Sequence, residues 1–179
     1  MITYIIFLRG INVGGHKKIK MQDLQQLFQS LGCSQVVTYI QSGNVVCKSK
    51  ECDRQRLRLV IEGAISDRYG FEVKVFVKTH LELSNQLEQC PYQKEDLQKI
   101  YFTFLSAMPT DLQKNLLLNL QYPPERYQLV DDVLVVYCEN GYGKTKLTNT
   151  LFESKLKLTA TTRNWNTLQA LLQLSTNLS

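Results

Sequence analysis

Leu8-Arg9-Gly10-Ile11-Asn12-Val13-Gly14-Gly15-His16-Lys17-Lys18-Ile19-Lys20 is the stretch whose reading decides the fold. An apolar run over residues 2–8 leads into it. A helical stripe of Met21, Leu24, Leu27, Phe28 and Leu31 leads out, stopped by Gly32. The run predicts a central strand with both faces covered. A strand, a glycine-rich turn and a helix start bring free amides and a positive dipole end together, and here they stand beside an arginine and three lysines. Proteins gather such groups around anions. The plainer alternative is a turn carrying a solvated lysine run.

The rest of the chain takes its order from this start. Residues 36–40 and 44–47 read as short strands joined by the turn Gln41-Ser42-Gly43. Leu57, Ile61, Ala64 and Ile65 give a second helix ending near Gly70, and residues 72–78 alternate as a half-buried strand suited to a sheet edge. Thr79-His80-Leu81-Glu82 is a capping box opening a short helix that Pro91 closes. The pattern then repeats. A strand over 100–105 precedes a leucine-rich helix capped by Thr110-Asp111-Leu112-Gln113 and broken at Tyr122-Pro123-Pro124. A hairpin turns at Asp131-Asp132, and a second glycine loop, residues 140–144, leads into a helix through Leu147, Leu151 and Leu156. A strand near 158–162 and a helix capped by Asn164, burying Leu168, Leu171 and Leu172, complete it. The fold expected is α+β: two tandem ferredoxin-like β-α-β-β-α-β halves with an extra C-terminal helix. The N-terminal half covers 1–78, a linker helix 79–98 and the C-terminal half 99–179.

Composition narrows the function classes. The 179 residues are 44% hydrophobic and 21% charged, enough to bury a core. A net charge of +5 suits an anionic partner but falls short of a dedicated nucleic-acid binder. The five cysteines are odd in number and make no C-x-x-C, which points to reduced thiols in a cytoplasmic protein. The N-terminus lacks the basic and apolar regions of a signal peptide, and no apolar run is long enough to span a membrane. No motif calls for a cofactor or a metal.

Neither glycine loop is a named phosphate motif. No G-x-x-x-x-G-K-[ST] or G-x-G-x-x-G can be read from Gly10, and Cys138 stands where the second loop, Gly141-Tyr142-Gly143-Lys144-Thr145, would need its first glycine. Gly143-Lys144-Thr145 keeps weak phosphate binding open beside a plain strand-to-helix turn. Thr161 to Thr167 holds Arg163, Asn164 and Trp165, the only tryptophan: a stacking platform beside an arginine, or caps and core. Tyr101-Phe102-Thr103-Phe104 lacks the full aromatic RNA-binding motif and reads as core. His16 and His80 pair with no nucleophile, and Ser42 before Gly43 reads as a turn residue.

Three segments taken in order carry a resemblance: residues 8–15, Thr38-Tyr39-Ile40-Gln41-Ser42-Gly43-Asn44-Val45 and Thr162-Arg163-Asn164-Trp165-Asn166-Thr167. The chain resembles the bacterial domain-of-unknown-function family sixteen ninety-seven over essentially its whole length. The resemblance implies a small cytoplasmic α+β protein and carries no established activity. This chain has Thr145 where the family pattern has serine, and Tyr92 where many relatives have phenylalanine.

The leading expectation is a binding module for a phosphorylated small molecule, nucleotide or nucleic acid, held in a cleft between the halves. Arg9, Lys17, Lys144 and Arg163 would meet phosphate, with the amides of Gly14 and Gly15. Asn12, Asn44 and Asn164 would orient the ligand beside Ser42, and Trp165 would stack. The alternatives are an enzyme acting on a phosphorylated or acidic metabolite through the same cations, and a protein-interaction module or homodimer using the strand at 72–78. Whether there is catalysis, the sequence leaves open.

Overall fold

The protein is described by a computed structural model covering residues 1–178. It is a mixed α+β protein with two four-stranded antiparallel sheets and six α-helices among the described residues. The chain divides into two units: Met1–Ser84 together with the residues from Ala170 onward, and Asn85–Gln169.

The first unit holds β1 (Ile2–Leu8), α1 (Met21–Ser30), β2 (Ser34–Tyr39), β3 (Asn44–Ser49), α2 (Arg54–Tyr69), β4 (Val75–Thr79) and the start of α3 (His80–Glu88), with the sheet ordered β2-β3-β1-β4. The apolar run lies between two neighbours, and Tyr4 to Leu8 are all buried, so both faces of β1 are covered. Tyr4, Ile6 and Leu8 meet Leu24 and Phe28 of α1, Ile61 and Ile65 of α2 and Val45 of β3 in one core, while Ile5 and Phe7 are buried on the other face. Local chemistry sets the ends. Asp53 accepts from the Gln55 and Arg56 amides at the start of α2, and Gly70 ends it at φ +73°. The expected capping box is present: the Glu82 carboxylate accepts from the Thr79 amide at 2.9 Å, and Thr79 Oγ1 accepts from the Glu82 amide at 3.2 Å.

Three strands of this unit differ from expectation at their ends, β3 running on to Ser49 where residues 44–47 were expected. β2 begins at Ser34, two residues early, with a bulge between Ser34 and Val37. β4 begins only at Val75, because the backbone of residues 72–74 bonds to the first loop instead of to a strand. It does lie at a sheet edge, although Val75, Phe76 and Lys78 are buried.

The second unit runs β5 (Ile100–Leu105), α4 (Asp111–Leu118), β6 (Arg126–Val130), β7 (Val133–Tyr137), α5 (Asn149–Leu156), β8 (Ala160–Asn164) and the first turns of α6 (Trp165–Leu178), with the sheet ordered β6-β7-β5-β8. Leu105, Leu134, Val136, Phe152 and Leu156 form its core, and Phe102 and Phe104 are fully buried, as their reading as core required. Thr110 and Gln113 complete a capping box on α4, Asp131 turns the β6–β7 hairpin at φ +53°, and Asn164 Oδ1 caps α6 by accepting from the Thr167 amide at 2.8 Å. α5 starts two residues after Leu147, which had been expected inside it. Thr145 Oγ1 donates to Glu125 at 2.6 Å and the Lys146 amide donates to the same oxygen, holding this segment extended. Leu168 and Leu171 of α6 are buried, and Leu172 is half-buried.

Candidate functional site

The chain leaves β1 through two left-handed residues, Gly10 at φ +70° and Asn12 at +56°. Val13 and His16 then pair as a small antiparallel bridge, the His16 amide donating to Val13 O at 3.0 Å. Gly14 and Gly15 are the two residues between them, at +57° and +79°. A tight turn with both central φ values positive costs glycine nothing and most other residues a good deal. The loop is closed by the Asn12 amide donating to Lys17 O at 3.1 Å.

Asn12 is the residue that fastens this loop. Its Nδ2 donates to Ile19 O at 3.0 Å and to Gln41 O at 2.9 Å, while its Oδ1 accepts from the Ile19 amide at 2.9 Å. The amide therefore spans the loop and reaches the β2–β3 turn. That turn is pressed against the loop from its own side. Leu8 N–H donates to Gly43 O at 2.7 Å, and Gly43 packs on Leu8 and Ile11 so tightly that it has no room for a side chain. Residues 72–74 brace the loop as well: the Arg9 amide donates to Lys74 O at 2.9 Å and Lys17 Nζ to Glu72 O at 2.6 Å. The first two sequence-predicted segments thus meet in the first unit. The bracing carbonyls of 72–74 had no sequence signal, because any residue type supplies them.

Asn44 is fully buried, its Nδ2 donating to Tyr39 O at 3.1 Å and to Ser42 Oγ at 2.9 Å, so it locks the hairpin across its own turn. Ser42 is exposed, as are Gly14, Gly15, His16, Lys17, Lys18 and Lys20, and Arg9 is half-buried. Ile40 is unusual. It is β-branched, 52% exposed and left-handed at φ +50°, a conformation that costs an L-residue about 1–2 kcal/mol. Ile40→Asn, which tolerates that region, should raise stability by about 0.5–1 kcal/mol, read as a higher denaturation midpoint at unchanged slope.

Lys144, Arg163, Asn164 and Trp165 belong to the second unit. Lys144 is exposed on a short 3-10 turn, and the Tyr142 ring of that turn packs against that of Tyr101, tilted by 31° at 4.7 Å between ring centres. Four residues of extended and turn backbone separate Lys144 from α5, so the loop does not open directly onto a helix N-terminus. Arg163 is only 9% exposed. Its Nη1 donates to Thr161 Oγ1 at 3.0 Å and to Thr162 O at 2.9 Å, and burial pushes the guanidinium down to about 10. Asn164 spends its Oδ1 on the α6 cap, and the half-buried Trp165 ring lies 5.9 Å from that of Phe102. A cavity of about 570 Å³ between α4 and β6, lined by Leu117, Leu120, Tyr122 and Tyr127, contains none of the predicted site residues. No helix among the described residues is long and apolar enough to cross a membrane.

Two antiparallel sheets flanked by helices define the class, an α+β protein with a braced glycine loop following its first strand. The chain belongs to the family described as protein of unknown function DUF1697, whose model matches residues 1–135. That range takes in the first two motifs and stops short of residues 162–167. Among solved structures it is similar to the conserved bacterial protein SP0830 from Streptococcus pneumoniae, at 25% identity and a TM-score of 0.78, over 97% of this chain and 98% of that one. No curated protein matches the chain.

Proposed function

We propose that the protein is a cytoplasmic binding module for a phosphorylated ligand, nucleotide or nucleic-acid strand, and that the loop of residues 9–20 is its anion-binding element. We further infer that each unit is a ferredoxin-like half, a reading supported by the strand orders β2-β3-β1-β4 and β6-β7-β5-β8 with a helix after the first and third strands of each. The five cysteines, all free thiols, support the cytoplasmic location.

One observation carries the binding reading: the loop is fixed by three long-range attachments, at Gln41, Gly43 and residues 72–74, yet its cations and its glycine turn are exposed. A loop ordered before its ligand arrives loses little entropy on binding. In this reading the Gly14 and Gly15 amides and Lys17, Lys18 and Lys20 meet phosphate, with Arg9 behind them. Asn12 and Asn44 act as the frame. Lys144 offers an exposed cation on the second unit, and Arg163 and Asn164 shape the start of α6 beside Trp165.

Fluorescence titration with ATP, pyrophosphate and a short labelled oligonucleotide tests the reading. Replacing Lys17, Lys18 and Lys20 together by glutamate should weaken binding by more than about tenfold and flatten its salt dependence, since fewer counterions are then released. Binding that survives the triple replacement unchanged, or no binding to any of these anions at low salt, overturns it. Turnover of a bound nucleotide that is lost in Arg9→Ala or Ser42→Ala would identify an enzyme in place of a binding module.

A further inference from the structure

We propose that the protein forms a homodimer through β6, an edge strand of the second sheet, with a twofold axis passing through Gln128. The interface lies on the second unit, and the inference stands whatever the loop of the first unit binds.

The two sheets end in four edge strands, β2, β4, β6 and β8. β2 is broken by its bulge, with Gln35 at φ +50°, and a bulge keeps an edge from pairing. Val75, Phe76 and Lys78 of β4 are buried, as are Ala160, Thr161 and Arg163 of β8. β6 differs from all three. Its five residues pair one for one with β7, from Arg126 with Tyr137 to Val130 with Val133, and Arg126 and Gln128 are exposed. It holds no proline, and its one charge stands at its first residue. A flat edge of this kind is a template for another strand.

The hairpin decides which groups that edge offers. A loop of two residues, Asp131 and Asp132, makes Val130 and Val133 a hydrogen-bonded pair. Alternation along the antiparallel ladder then turns the main-chain groups of Gln128 and Arg126 toward β7 as well. Those of Tyr127 and Leu129 point outward, and no bond from the described residues reaches them. The cavity between α4 and β6 lies beside them. Every residue from Glu125 to Leu129 lines it, although successive strand residues face opposite sides, so it runs along the free edge itself. Leu118, 77% exposed, lines it from α4.

A second β6 fits this edge best in one register. Set antiparallel about Gln128, Tyr127 of each strand faces the partner's Leu129. Both outward residues of both strands are then used, which gives four main-chain hydrogen bonds. A shift of two residues either way leaves half of them. Tyr127 and Leu129 pack on the helix-covered face, so the partner's Leu129 enters the cavity beside Tyr127 as an aromatic–aliphatic pair. On the opposite face Gln128 meets its own counterpart, without charge. The ends of the strand choose a second copy over an unrelated segment. Arg126 comes beside the partner's hairpin turn, where Asp131 is exposed, and the axis repeats this basic-to-acidic match on the other side.

Sedimentation equilibrium of the full chain should show a dimer of the 20.7 kDa polypeptide. Gln128→Lys changes an exposed side chain and sets two like charges face to face on the axis, so it should weaken the dimer by at least about tenfold. Gln128→Glu should do the same, and mixing the two variants should restore dimers as heterodimers. Circular dichroism of each variant reads whether the fold is kept. If either does not fold, Gln128→Cys in a Cys52→Ser chain takes its place. Mild oxidation should then link two chains covalently, because a non-hydrogen-bonded pair lies within disulfide reach. A monomer at every accessible concentration, a dimer that both charged variants leave intact, or no cross-link at 128 overturns the proposal.

Discussion

Gly43→Ala should destabilise the protein by on the order of 3 kcal/mol, from overpacking and left-handed strain together. The added Cβ would lie 2.8 Å from Leu8 Cβ, 2.9 Å from Ile11 Cγ1 and 3.0 Å from Ile11 Cδ1. Those atoms have nowhere to go, since Leu8 and Ile11 are both buried in the core of the first unit. The position is also left-handed at φ +78°, which adds about 1 kcal/mol for any residue with a side chain. Urea unfolding followed by circular dichroism reads the loss. Gly70→Ala is the control: φ is similar at +73°, but nothing lies within 4 Å of the added carbon. It should cost only the conformational part, about 1 kcal/mol. Equal losses at the two glycines would show that the close packing at Gly43 carries no energy.

Asn12→Ala should cost about 2–4 kcal/mol, since it deletes three hydrogen bonds and places alanine at φ +56°. Asn12→Gly separates the two contributions, because glycine accepts that φ freely and loses only the bonds. The stability loss for glycine should be smaller by about 1 kcal/mol. Both variants should release the loop, seen as faster hydrogen exchange at the Ile19 amide, whose acceptor is Asn12 Oδ1. The anion binding proposed for the loop should weaken in both, although Asn12 need not touch the ligand, because the loop must then be ordered on binding. Unchanged exchange at Ile19 would remove Asn12 from the role of fastener.

Much of the fold was legible because its signals are local. The apolar run of β1, the boxes at Thr79–Glu82 and Thr110–Gln113, the glycine ending α2 and the asparagine capping α6 each act within four or five residues. What escaped is long-range. The start of α5 is set by Glu125, 20 residues before Thr145, and the start of β4 by bonds from Arg9 and Lys17. The same division runs through the candidate site. That residues 9–20 form an exposed basic glycine loop follows from composition. That Asn12 and Asn44 spend their amides inside the fold does not, because an amide's partners are decided by which backbone groups tertiary structure brings within reach.

The first unit is interrupted in sequence: the chain departs at Ser84 and returns at Ala170. Among the returning residues is Ser175, fully buried, whose Oγ lies 2.7 Å from His80 Nδ1. On a ribosome, then, the unit that is begun first is finished last. The glycine loop and both of its braces emerge early, yet the segment that completes their unit appears only after the whole second unit has been made. A nascent chain stalled before Ala170 would carry a first unit that still lacks its closing segment, and purified 1–84 would be in the same position however long it was given to fold.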